Sequence, residues 1–548
     1  MTTTIAAGTG SLSGALTHRA ISTPDAPFLV TDDRTWSFSE AATDSHALAA
    51  GLVALGMEPG DRVALDMPNW PEFVLSVFAA AEIGAVIVPL NPGYSQRELR
   101  FVLRNTEATV AIVAERYGGI DYLEVFEALF SELPSLQYLV TVGEEDLWYD
   151  DRVFQFEDVL SSGRAGEVDR AEVDPQTDEF AVLYTAGTSE KQKGVMLSHE
   201  NLLRTATATA EVLGMTSSDV TLCTVPLFNI FGLGAALLTC LQTGSRVVLQ
   251  DRFDPEGALR LIAEHEVTVL HGVPTMFVLL QRELRMAGEA KPDLTSLRTG
   301  IIAGAPVTPE LVRSLRAELV PDLEIAYGLT ETSPTVTITT PTDAEGPRTE
   351  SVGKPLAGIR LRILDEEERT VPPGVPGEVA VAGYNVMRGY FRQPGATRAA
   401  LADGYLKTGD LGLLDDEGYL RIVGRQSDMI IRGGFNVHPG EVEDHLRSLP
   451  AVEEAVVIGV PNEVLGELVC ACIVPVEGAL ITEDELRELC RSALAVFKVP
   501  DLVAFMDELP KLPSGEVDRT ALLSLVRSDG SERPGTQGDA GASPQITH

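Results

Sequence analysis

Leu323-Glu324-Ile325-Ala326-Tyr327-Gly328-Leu329-Thr330-Glu331 is a short, mostly apolar run that ends on a glycine turn and two polar residues. The run reads as a buried strand and the residues after it as a loop. Working outward, Pro309 to Glu318 has helical periodicity, and Gly300-Ile301-Ile302 is a further strand. Thr268-Val269-Leu270, the helix Thr275 to Arg285, and strands Thr221 to Val225 and Arg246 to Leu249 around an apolar helix through Leu233-Leu238 continue the pattern. It starts earlier, with strand Arg62 to Leu65, helix Trp70 to Ile83 and strand Ala85 to Pro89. Such alternation argues for parallel sheets with helices on both faces. After Arg421 the elements shorten: strands Val452 to Val460 and Val469 to Val474, a helix Glu483 to Leu494 and a last helix from Arg519. The expected fold class is therefore α/β, with a large N-terminal domain (1–424) of parallel-rich sheets flanked by helices. A small α+β C-terminal domain (425–527) follows, and then a Gly/Ser/Pro-rich tail (528–548) expected to be disordered.

A chain of 548 residues is too long for one ordinary core. Its 44% apolar and 22% charged content are globular values. The formal charge of −39 disfavours nucleic acid and anionic membrane as partners, and any polyanionic ligand needs a local pocket of amides or cations. The run from Phe73 to Leu90 contains Glu82 and breaks at Gly84 and Pro89, so no membrane span is expected. With no secretory signal and five scattered cysteines, a cytoplasmic protein is expected, as monomer or homodimer. Cys470-Ala471-Cys472 places two thiols on one strand face, but no second Cys/His pair accompanies it as metal sites require.

Three further stretches carry chemistry. Thr185-Ala186-Gly187-Thr188-Ser189-Glu190-Lys191-Gln192-Lys193-Gly194-Val195 follows the strand Phe180 to Tyr184 and precedes Ser198, an N-cap for a helix His199 to Val212. Small and hydroxylated residues let backbone N–H groups close on phosphate oxygens, and Lys193 supplies positive charge. No Gly-Lys-Ser/Thr ends the loop, so it is not a Walker A sequence. The others are Thr408-Gly409-Asp410-Leu411 and Gly424-Arg425-Gln426-Ser427-Asp428.

Together, in this order and spacing, these motifs resemble those of the adenylate-forming superfamily, from about residue 20 to 525. The segments from Ile430 to Glu443 and Pro461 to Glu467 resemble the acyl- and aryl-CoA ligases within it. The resemblance implies ATP and Mg²⁺ as cofactors, CoA as co-substrate, and a C-terminal domain that is mobile about a hinge at Asp428. By resemblance, Lys193, Thr330 and Glu331 are catalytic, and Glu331 holds the metal. Thr185, Ala186, Gly187, Thr188, Ser189 and Lys193 hold phosphates. Gly304, Ala305, Pro306, Tyr327 and Gly328 form the adenine slot, with Thr330 at the α-phosphate. Asp410 and Arg425 serve the ribose, where an acceptor-only carboxylate suits two hydroxyls, and Ile422 also lies at the nucleotide. Phe231, Ala235, Val273, Ile302, Ala303, Ala326 and Pro334 line the acid pocket together with Asn229, which either hydrogen-bonds a ring substituent or caps a turn. Gly433, Gly434 and Phe435 border the CoA channel, unless the two glycines make an ordinary hairpin turn.

The departures matter as much. Glu190 and Gln192 stand where relatives have Gly and Pro. At the end, Pro510-Lys511-Leu512-Pro513-Ser514-Gly515-Glu516 places Glu516 at the position of the family's adenylation lysine. Three readings follow. Lys511 or Lys498 substitutes for it in an ordinary ligase of small aromatic or medium-length acids. Alternatively, the protein activates nitrite and diazotises an aromatic amine in secondary metabolism. In the third, it binds nucleotide or acyl groups without turnover.

Overall fold

The computed structural model describes residues 10–144, 150–185, 192–305, 307–365, 367–425, 429–437, 439–476, 478–510, 517 and 519–531. The chain forms two compact units. The larger holds the residues up to 92, 100–185 and 193–426; the smaller takes 93–99, 192 and those after 426.

The larger unit contains two big sheets. In the first, Pro27–Val30, Arg246–Leu249, Val220–Cys223, Val269–Leu270, Thr299–Ile302 and Asp322–Tyr327 lie side by side and parallel. In the second, Val86–Pro89, Arg62–Asp66, Val110–Ala114 and Tyr138–Val142 do the same. Their strands are near-continuous apolar runs because both faces are covered by helices. The helix Pro71–Ile83 is the clearest case: proline opens it, Gly84 ends it at φ 72°, and it is buried from Phe73 to Ile83. A third, wholly antiparallel sheet spans Arg360–Leu364, Gly377–Ala382, Leu401–Ala402, Tyr405–Leu414 and Leu420–Arg425. The sequence pattern missed it, since Arg360–Leu364 and Tyr405–Leu414 are only half-buried and interrupted by charged residues.

In each parallel sheet the chain changes direction at one place. From Val220–Cys223 it crosses to Arg246–Leu249 on one side, while Val269–Leu270 lies on the other. From Arg62–Asp66 it crosses to Val86–Pro89, with Val110–Ala114 opposite. Connections diverge there, and in open α/β sheets such a place carries the ligand crevice, outside the carboxyl ends of the strands. Asn69 links the two places. Its Nδ2 donates to the carbonyls of Cys223 (3.3 Å), Val225 (3.1 Å) and Gln250 (3.1 Å), and its Oδ1 accepts from the Leu227 N–H (2.7 Å).

The smaller unit has the sheet order Phe435–Val437, Ile430–Arg432, Gly466–Pro475, Val452–Asn462, with Leu502–Phe505 parallel to Gly466–Pro475. Helices Pro439–Arg447 and Glu483–Arg491 cover one side of its core. The last helix, Arg519–Ser531, reaches past residue 528, where the tail was expected to begin. All five cysteines are free and buried. No described helix is long and apolar enough to cross a membrane.

Asp66, at the crevice end of its strand, is fully enclosed, and neither carboxyl oxygen has a hydrogen-bond partner. Burial pushes its carboxyl up to about 7. The folded protein thus keeps a proton that the unfolded chain gives up above about pH 4. Relative stability from this group is greatest below that pH, falls as pH rises toward 7 and is level beyond, a loss of roughly 4 kcal/mol in all. Asp66→Asn removes the titration. The variant is expected to melt a few degrees above the natural protein at pH 8, with the gap more than halved at pH 5. A gap independent of pH in calorimetric melts would show that the carboxyl is not held neutral.

Candidate functional site

The strand Asp322–Tyr327 delivers the motif that opened the sequence analysis. Glu324 in its middle is fully buried, neutralised by Arg348 and Arg316 and hydrogen-bonded by the Thr339 hydroxyl at 2.6 Å. The strand ends at Tyr327, whose hydroxyl donates to Asp410 Oδ2 at 2.7 Å. Asp410 is 2% exposed and follows Gly409, which sits at φ 75°. Tyr327 and Asp410, expected at adenine and ribose, are thus in direct contact. Asp410 pairs in register with Arg425 on the neighbouring strand, and Ile422 lies half-buried on the same strand opposite Gly412. Gly328 admits no other residue, since a Cβ there would stand 1.6 Å from the Pro334 carbonyl oxygen. Thr330–Thr332 then form one 3₁₀ turn.

The glycine-rich loop is a hairpin rather than a strand-to-helix connection. Glu179–Thr185 and Lys193–Ser198 are antiparallel, and Thr185 pairs with Lys193 at the mouth of the loop. The expected loop of 185–195 therefore ends earlier, because Gly194 and Val195 continue a ladder with Tyr184 and Leu183. Ala186, Gly187, Thr188, Ser189 and Glu190 lie outside the described residues, as do Pro306, Asp428, Lys511 and Glu516. Ser198 caps the helix His199–Val212, accepting from the Asn201 N–H while Asn201 accepts from its own.

The residue that joins these pieces is Tyr390, which the sequence reading did not single out. Its hydroxyl donates to Glu331 Oε1 at 2.9 Å, and Lys193 Nζ stands 4.8 Å from its ring centroid. Burial and the Glu331 charge push the Tyr390 hydroxyl upward, so it stays a neutral donor. Lys193, Glu331 and Tyr390 come from three distant segments and form one group.

The residues expected to line the acid pocket come from the first sheet and the segments that follow its strands. Phe231–Leu238 is wound as a π-helix, the form that often marks functional positions, where an ordinary apolar helix was expected. Asn229 is exposed and its Oδ1 accepts the Phe231 N–H at 3.0 Å, so it caps this turn. Gly234 packs on Pro334, Gly272 bridges Ile302, and Gly304 at φ 86° faces Val273. Phe231, Val273, Ala303 and Pro334 are half-exposed, whereas Ala235, Ile302 and Ala326 are buried behind the surface. Ala305 is half-buried after Gly304. His271 was also missed. It is wholly buried, its Nδ1 accepts the Ile301 N–H at 3.1 Å, and its ring lies 6.1 Å from that of Phe231. Burial lowers it to about 4, so the imidazole is neutral.

In the smaller unit, Gly433 and Gly434 sit at φ 56° and 85° and close the two-residue hairpin between Arg432 and Phe435. Phe435 stacks on Phe497 at 4.5 Å. Lys498 is 1% exposed, with Nζ 2.7 Å from Glu98 and 2.9 Å from Glu441. That triad removes it as a spare cation for the position of Glu516.

Comparison with known proteins agrees with this geometry. Residues 16–391 match the AMP-binding enzyme family and residues 441–516 its C-terminal domain. A methyl-dioxo-octahydroindenyl-propanoyl:CoA ligase of Mycobacterium tuberculosis is 38% identical over 509 residues, covering 92% of this chain and 96% of the relative. A feruloyl-CoA synthase of an Amycolatopsis species is 34% identical over 492 residues, covering 88% and 92%. The solved o-succinylbenzoate CoA synthetase of Bacillus subtilis superposes with a TM-score of 0.80 at 30% identity, covering 93% of this chain and 98% of that one. The chain belongs to the AMP-binding enzyme family, as an adenylate-forming ligase of the acyl- and aryl-CoA ligase type.

Proposed function

We propose that this protein converts a small aromatic or medium-length carboxylic acid to its CoA thioester through an acyl-adenylate. The observation that carries the reading is the meeting of Lys193, Glu331 and Tyr390 in the same unit as the Tyr327–Asp410 pair. A nucleotide needs both ends held, phosphates and nucleoside, and these are the residue types that hold them. The carboxylate oxygen of the acid attacks the α-phosphorus, and the bond to pyrophosphate breaks. The CoA thiol then attacks the acyl carbonyl, and AMP leaves. Lys193 meets the phosphate oxygens, Thr330 donates its hydroxyl at the α-phosphate, and Asp410 accepts from the ribose. The half-exposed Phe231, Val273, Ala303 and Pro334 face the acid, and their small or flat surfaces suit a ring or slim chain.

Magnesium fits the donor set. Among the described residues no cluster of three metal-ligating side chains exists, and Mg²⁺ binds by one or two carboxylates plus substrate phosphates. Glu331, engaged by Tyr390 at Oε1, is such a carboxylate. The ion would neutralise charge on the phosphates as it develops. Nothing in the comparisons supports nitrite as the activated group, and the ligase reading is preferred on that ground.

Three outcomes test the reading. Pyrophosphate release is expected with ATP and aromatic or medium-chain acids, faster with CoA present; release that requires nitrite and an aminoarene would overturn it. Glu331→Gln is expected to lower that release by about 10²-fold in a folded protein, and near-normal turnover would remove the metal role. Glu516→Lys, which supplies the missing cation, is expected to raise acyl-adenylate formation by about 10-fold. A rate unmoved by this change, and by Glu516→Ala, would show that position 516 is idle.

A further inference from the structure

We propose that Tyr390 is the positioning residue that sets Lys193 and Glu331 at the spacing a metal–nucleotide complex requires. The inference rests on the reading that these two residues handle the phosphates and their metal. Tyr390 touches both through different parts of one side chain: the hydroxyl donates to Glu331 Oε1 at 2.9 Å, and the ring face lies 4.8 Å from Lys193 Nζ. The two contacts have different chemistry. A phenol donating to a carboxylate fixes one oxygen and leaves the charge in place. A ring face holds an ammonium without neutralising it.

The backbone around Tyr390 is built to hold it still. The Phe391 N–H donates to the Gly194 carbonyl at 2.7 Å and the Arg388 N–H to the Met196 carbonyl at 2.9 Å, which ties the segment to the strand that carries Lys193. The Met387 N–H donates to the Glu331 carbonyl at 2.9 Å, which ties it to the turn that carries Glu331. Upstream, Asn385 Nδ2 donates to the Thr332 and Thr335 carbonyls, each at 3.3 Å, and Asn201 Nδ2 donates to the Tyr384 and Val386 carbonyls at 2.6 and 3.1 Å. The Tyr390 N–H itself donates to the Thr397 hydroxyl at 2.9 Å. Residues 384–391 therefore clasp the Lys193 strand and the Glu331 turn together, and the Tyr390 side chain touches both charged groups. The clasp is made by backbone and by asparagines, so removing the phenol hydroxyl leaves it standing.

Titration calorimetry on the full chain separates the two contacts, with MgATP in one arm and ATP with EDTA in the other. Tyr390→Phe keeps the ring and loses the hydroxyl. It is expected to bind MgATP about tenfold more weakly while metal-free ATP stays within about twofold, with an unchanged melting temperature. Tyr390→Leu loses both contacts and is expected to weaken metal-free ATP as well, by about threefold to tenfold. Natural-like binding of both forms by both variants overturns the proposal. So does a loss equal in both arms and proportional to a fall in melting temperature, which is the mark of a merely structural residue. Glu331→Gln distinguishes the two levels of failure. Unchanged MgATP binding there sinks the metal role of Glu331 and with it the hydroxyl's part in the proposal. A tenfold loss there with none in Tyr390→Phe sinks the role of Tyr390 alone.

Discussion

One carboxamide holds the larger unit's two parallel sheets at their carboxyl ends. Asn69 leaves the second sheet three residues after Asp66 and spends its side chain on the first, on three carbonyls and one N–H of the segments that end its strands. All of these groups are buried from water, and a buried polar group without a partner costs about 1–3 kcal/mol. A side chain that offered only donors or only acceptors would strand some of them; Asn offers both. The Leu227 N–H that it accepts begins the turn capped by Asn229, and the π-helix starts two residues later. The segment expected to wall the acid pocket is thus anchored by a residue of the other sheet. Asp66 belongs to the same junction, and its burial there without partners raises its carboxyl to about 7, so that it is a neutral acid only below that pH.

The site handles charge through phenols. Tyr327 donates to Asp410, and Tyr390 donates to Glu331. An arginine or lysine in place of either phenol would bring a further positive charge to the carboxylate it touches. A buried phenol donates one hydrogen bond and adds no charge. In a chain of net charge −39, this arrangement orients two carboxylates without drawing on the chain's cations.

Strand–helix alternation was legible because both large sheets are buried on both faces, so their strands read as apolar runs between capped helices. Pro309–Glu318 and His199–Val212 fall where their Pro and Ser signals place them. The antiparallel sheet from Arg360 to Arg425 was not legible, because half-buried strands carrying charge look like loops. The hairpin form of the phosphate loop was hidden for a related reason: Gly194 and Lys193 weaken a strand reading that cross-strand pairing with Tyr184 and Thr185 restores. The nucleotide-site motifs could be placed because each is local in sequence. Tyr390, Asn69 and His271 could not, since their roles arise from contacts 59, 158 and 30 residues away along the chain. The Gly389-Tyr390 pair beside Phe391 is the only trace Tyr390 leaves in the sequence.

The charge deficit created by Glu516 sharpens the role of the remaining cations. Lys498 is the nearest sequence alternative outside its own loop, but its ammonium is buried between Glu98 and Glu441. Burial alone would lower it; the two carboxylates more than offset this and raise it, so it is a committed charge. Taking it away would leave the buried Glu98 and the half-buried Glu441 carboxylates facing each other, and leaving a buried charge unpaired costs several kcal/mol, about 3–5 for a fully buried pair. A lysine held that firmly does not serve a phosphate as well. Lys193 is in the opposite condition. Among the described residues it forms no ion pair, and it lies over the face of Tyr390. Its positive charge is oriented but not neutralised, and it stands at the mouth of the loop expected to cradle the phosphates. Lys193 thus keeps its positive charge against an aromatic ring, and the hydroxyl of that same ring donates to Glu331.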